Sequence, residues 1–84
     1  MRKSSTDIVV RLKVPHRPGQ FARVAETVAR AGALIGDITT HRTLDSYTIR
    51  DVTVESSDLE HFDRVLEALR ALEGVEVLSV VDRV

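Results

Sequence analysis

The sequence predicts an α+β domain with elements in the order β-α-β-β-α-β, folded as a four-stranded antiparallel sheet carrying two helices on one face. Three observations predict it. Two segments place apolar residues at helical spacing, four others are rich in β-branched residues, and the turn signals between them divide the chain into two βαβ halves. A right-handed crossover in each half sends both helices to the same face and gives the strand order 2-3-1-4. This is the ferredoxin-like βαββαβ sandwich.

The first strand spans Asp7 to Val14, after a polar tail at residues 1–6 that is expected to fray. Ile8, Val10, Leu12 and Val14 alternate with Arg11 and Lys13, the pattern of a strand buried on one side. Pro15 ends it, and Pro18 and Gly19 open helix one, expected from about Pro18 to Ala31. Phe21, Val24, Ala25 and Val28 share the inner face of that helix. Gly32 stops it, because glycine takes a left-handed position without a Cβ penalty.

The second strand runs from Leu34 to Thr43, with Ile35 and Ile38 as apolar positions. Gly36 inside it signals a bulge or a close backbone approach. Leu44-Asp45-Ser46 turns the chain into a third strand at Tyr47–Glu55. There Ile49, Val52 and Val54 break strict alternation, which points to a bulge near Arg50-Asp51. Ser57-Asp58-Leu59-Glu60 reads as a capping box for helix two. Leu59, Phe62, Leu66 and Leu69 form its apolar stripe, flanked by Val65 and Leu72, and Gly74 ends it. Val75 to Val84 is the last strand.

Eighty-four residues bound one domain, expected at 7–84, and a domain this small buries only roughly 60% of its unfolded surface. Association would offset that. The core must be aliphatic, since aromatics make up 4% of the chain. Net charge is −1, so no global field recruits nucleic acid or an anionic membrane. The charge is divided, however: residues 1–42 carry eight Lys/Arg against three acids, residues 43–84 four against ten. The basic half places Arg17 and Arg23 where an anionic ligand would be favoured. With no cysteine there is no disulfide framework or thiolate chemistry. No secretory leader or membrane span is readable, and a cytoplasmic location follows by default.

Catalytic chemistry is not legible. His16, His41 and His61 share no metal-ligand spacing, so no metal site is expected. His41 and His61 read as solvated side chains. No serine or threonine sits in a nucleophile-elbow setting, and the turn is neither a P-loop nor a dinucleotide fingerprint, so no nucleotide cofactor is implied. RNA recognition on this fold needs stacking aromatics on the central strands, and the first strand has none. The turn at Pro15–Gln20 remains. A helix N-terminus carries unpaired N–H groups and partial positive charge, and Gly19 adds no side chain to block them. His16 lies beside it and suits donation to a carboxylate.

The residues around this turn carry a resemblance. Arg17-Pro18-Gly19 after a strand, a helix ending at Ala31-Gly32 and a strand opening at Leu34-Ile35 resemble the ACT domain, a small ligand-sensing module attached to metabolic enzymes. Gly36-Asp37-Ile38, the RDVTV run at Arg50–Val54, Ser57–His61 and the segment Glu67–Arg83 are similar to the N-terminal ACT domain of bacterial NAD-dependent malic enzymes. The resemblance implies a non-catalytic regulatory domain whose partner is the catalytic domain of a parent enzyme. It implies a homodimer joined at edge strands, with a small carboxylate or amino-acid effector at the interface. The implied ligand positions are His16, Arg17, Pro18, Gly19 and Gln20 in the turn, with Leu34 and Ile35 opening the second strand. Family members often carry a polar residue, commonly Asn, where this chain has Leu34. That departure makes a dimerisation module with no ligand the alternative.

Overall fold

The computed structural model describes residues 6–82. It contains β1 (Thr6–Pro15), α1 (Gln20–Arg30), β2 (Leu34–Thr43), β3 (Tyr47–Ser56), α2 (Leu59–Arg70) and β4 (Glu76–Asp82). The strands form one antiparallel sheet in the order β2-β3-β1-β4, the expected ferredoxin-like βαββαβ arrangement. Most of the expected N-terminal tail, residues 1–5, and the end of the last strand, residues 83–84, lie outside the described residues; Thr6 opens β1.

Alternation along β1 decides which side of the sheet is covered. Ile8, Val10, Leu12 and Val14 are buried, and across the ladder Val52 and Val54 of β3 are buried beside them. Val24 and Val28 of α1 and Phe62, Val65 and Leu69 of α2 complete the core. On the other face Arg11 pairs with Asp51 through two hydrogen bonds, Nε to Oδ1 at 2.8 Å and Nη2 to Oδ2 at 3.0 Å. The fork-to-fork geometry fixes the β1/β3 register from the uncovered side.

Several expectations are corrected. Helix α1 starts at Gln20, with Gly19 as its N-cap, so Pro18 stays in the turn. Leu59 is 60% exposed and Val65 fully buried, so the inner stripe of α2 runs through Phe62, Val65 and Leu69. The N-cap of α2 is Asp58, whose carboxylate accepts from the His61 N–H at 2.8 Å, and not Ser57. Nor is there a bulge in β3, which stays in continuous register with β1. The extra residues lie across the ladder in β2, between Ile35 and Ile38 and between Thr40 and Arg42. Gly36 sits in the first of these, where a Cβ would stand 2.8 Å from Glu55 Oε2. A third shift falls in β4 between Val77 and Ser79.

His61 is the largest correction: it is buried, not solvated. Its Nδ1 accepts from the Ser57 backbone N–H at 3.0 Å, with the Ser57 hydroxyl 2.9 Å away, and its Nε2 lies 2.7 Å from the Ala31 carbonyl. A backbone N–H can only donate, so the neutral Nε2–H tautomer is the one that satisfies both ends. One ring thereby joins the start of α2 to the end of α1.

Candidate functional site

The turn from Pro15 to Gln20 projects from one end of the sheet. The His16 N–H donates to the Ser46 carbonyl at 3.0 Å, which ties the turn to the β2–β3 hairpin. The Arg17 N–H donates to the Pro15 carbonyl at 2.9 Å, and the Gln20 N–H to the Arg17 carbonyl at 3.3 Å. Gly19 then takes φ +82°, a left-handed conformation that favours glycine. A Cβ there would meet nothing within 4 Å, so the backbone angle, not a close neighbour, accounts for this glycine. As N-cap it supplies no side-chain acceptor, and the first turn of α1 holds no acidic residue. The first N–H groups of α1 are therefore left without a capping side chain or a nearby counter-charge.

Around this end the side chains are polar or cationic. The His16 ring sits with Nδ1 3.0 Å from Thr48 Oγ1, so β3 orients it. Gln20 Oε1 accepts from Arg23 Nη1 at 2.9 Å. His16, Arg17, Pro18 and Gly19 are exposed and Gln20 is half-buried. Arg50, which the sequence reading did not single out as a site residue, places its guanidinium carbon 5.1 Å from the Phe21 ring centroid. Its signal in the sequence was the broken alternation of the third strand, which comes from a charged residue at an inward position.

The two groups of expected ligand residues do not meet within one chain. Leu34 pairs with Glu55 at one end of β3, whereas Pro15 pairs with Tyr47 at the other. Eight residue steps along β3 at about 3.3 Å each put the turn and the opening of β2 roughly 26 Å apart. Leu34 is 67% exposed and Ile35 half-buried. A surface groove of about 230 Å³ is lined by Arg23, Glu26, Thr27 and Arg30 of α1 and by Leu72, which follows α2. The Glu26–Arg30 ion pair at 3.0 Å spans that groove. A smaller one of about 130 Å³ lies on the uncovered sheet face beside Arg11 and Asp51. Among the described residues no cluster of three or more His, Cys, Asp or Glu is placed to hold a metal ion. No described helix is long and apolar enough to cross a membrane.

This architecture is a strand-turn-helix with Arg-Pro-Gly at its bend in a ferredoxin-like βαββαβ sandwich. The ACT domain family model matches residues 8–74, and the chain belongs to that family, whose members are regulatory and non-catalytic. Among individual proteins, it is 30% identical over 80 residues to the NAD-dependent malic enzyme of Geobacillus stearothermophilus, covering 95% of this chain. It is 34% identical over 74 residues to NAD-dependent malic enzyme 1 of Bacillus subtilis (strain 168), covering 87% of this chain. The chain spans 17% of the length of each of these relatives. Two solved structures share the fold. The ACT domain from GTP pyrophosphokinase of Chlorobium tepidum aligns at a TM-score of 0.70 and 12% identity, over 95% of this chain and all of that one. The regulatory subunit of aspartate kinase from Thermus thermophilus aligns at 0.65 and 23% identity, over 94% of this chain and 51% of that one.

Proposed function

We propose that this chain is the regulatory ACT domain of a malic-enzyme-like oxidoreductase in the cytoplasm, that it dimerises through β2, and that it binds a small carboxylate or amino-acid effector at the dimer interface. The observation that carries this reading is the separation of the two ligand groups in one chain. β2 is an edge strand, so its outer N–H and C=O groups are open to another strand. A symmetric antiparallel pairing centred on Ile38 and Thr39 sets Leu34 of one copy opposite Thr43 of the other. Thr43 pairs with Thr48, one residue from the Tyr47–Pro15 pair at the turn. Three strand spacings, about 14 Å, then separate the opening of β2 in one copy from the turn of the other. Exposed Leu34 and Ile38 would be covered in the process.

An effector held between the copies favours one arrangement of the attached catalytic domains, a coupling of typically 1–3 kcal/mol. The test is a thermal-shift screen of the chain against amino acids and di- and tricarboxylic acids. A ligand at 100 times its Kd adds about 2.7 kcal/mol and raises melting by several degrees in a domain of this size. A specific upward shift supports an effector-binding domain. Melting that rises with protein concentration while no acid shifts it supports the assembly module instead, a reading favoured by the apolar, exposed Leu34 where a polar ligand anchor would be needed.

A further inference from the structure

The inward-facing stripe of β3 reads Thr48, Arg50, Val52, Val54, Ser56. Arg50 stands opposite Leu12 of β1, which is fully buried, but is itself only half-buried and reaches toward exposed Thr40. Partial burial removes some of its hydration, so an anionic partner would be favoured there. Among the described residues no carboxylate lies within ion-pairing distance of the Arg50 guanidinium. Its neighbours are the Phe21 ring, 5.1 Å from the guanidinium carbon to the centroid, and Thr40 Oγ1, in a long contact of 3.4 Å from Nη1. Phe21 is the second residue of α1, so the guanidinium lies beside a side chain from the first turn of that helix. Two residues along the same stripe, Thr48 holds the His16 ring. A guanidinium set beside an aromatic ring, with no ion-paired carboxylate among the described residues, therefore stands near the groups that make up the turn.

We propose that Arg50 binds the carboxylate of an organic-acid effector, its guanidinium fork meeting the two carboxylate oxygens beside the Phe21 ring. This rests on the reading of the Pro15–Gln20 turn as the ligand site and names the residue that gives it specificity for acids. Arginine suits the role because its donors match a carboxylate bidentately, which a lysine ammonium does not. An organic acid fits better than an amino acid, because the first turn of α1 offers no acidic side chain to an ammonium group.

The experiment titrates the chain with succinate and with L-malate, following by NMR the Arg50 Nε–H signal and the amides of residues 16–20. Binding of either acid should move both sets of signals. Charge-assisted hydrogen bonds predict that Arg50→Met, which keeps an unbranched apolar stem and removes the guanidinium, weakens affinity roughly tenfold to a hundredfold. Arg50→Lys should recover only part of the loss, and Arg64→Gln, at an exposed position on α2, should bind as the wild type does. If Arg50→Met does not fold, the Arg50→Lys comparison decides. Amide shifts at the turn with an unmoved Arg50 signal and unchanged affinity in both variants overturn the role of Arg50 but leave the turn as a site. No shift anywhere with either acid overturns both.

Discussion

Arg11 and Asp51 show how a single pair shapes a face that no helix covers. The Asp51 carboxyl is held below the usual carboxylate range, first by its hydrogen bond to Arg11, then by the charge of Arg11 and, more weakly, His41; partial burial opposes this. The Arg11 guanidinium is correspondingly raised by its hydrogen bond to Asp51. A carboxyl lowered in the folded state adds stability that is present above the ordinary carboxylate range and lost as pH falls through its lowered value. Asp51→Asn should therefore be less stable than wild type at neutral pH, and the two urea midpoints should converge as the medium becomes strongly acidic. A gap that persists in acid would assign the loss to packing instead. The neighbouring Lys13–Glu76 pair, at 3.9 Å and largely in water, contributes at most about 1 kcal/mol.

At the scale of elements, the entry to α2 replaces the expected capping box with a different reciprocal arrangement. Asp58 accepts from the N–H of His61, and the His61 ring in turn accepts from the N–H of Ser57. Asp58→Ala should cost about 1 kcal/mol, the usual value of an N-cap. His61→Ala should cost about 3 kcal/mol, because it leaves the Ser57 N–H and the Ala31 carbonyl without partners and opens a void. Equilibrium urea denaturation measures both, and a His61→Ala cost no larger than that of Asp58→Ala would reduce the ring to a surface cap. The residue spacing that suggests a capping box is present in the sequence. Which serine or aspartate takes the cap depends on where α2 sits against α1, and so does the burial of His61.

For the whole molecule, one aliphatic core, closed by two helices on a single sheet face, leaves both β2 and β4 as open edges. β4 carries Leu78, Val80 and Val81 exposed, and β2 carries Leu34 and Ile38. If β2 joins two copies, the melting temperature should rise with protein concentration. Ile38→Lys would set like charges beside each other across the two-fold axis and should abolish that rise. Sedimentation equilibrium of wild type and variant checks it. A wild-type monomer at all concentrations would remove the dimer from the proposal.

The order of elements, the strand order, the inner faces of β1 and α1, the bounds of β2 and the hairpin at Leu44–Ser46 were all determined by sequence alone. Each is written in local periodicity and turn chemistry, which act over a few residues. The turn at Pro15–Gln20 was legible as a candidate site for the same reason, since proline and glycine announce a bend wherever they stand. Tertiary structure decided the rest. The extra residues of the β2–β3 ladder went to β2 because β3 is held in register by β1, where Arg11 grips Asp51. The inner face of α2 turned toward Val65 because His61 docks on the end of α1. Arg50 became a candidate ligand residue only through Phe21, which lies 29 positions away in the chain and beside it in the fold. The distance between the turn and Leu34 likewise follows from strand pairing, a long-range property that no local pattern encodes.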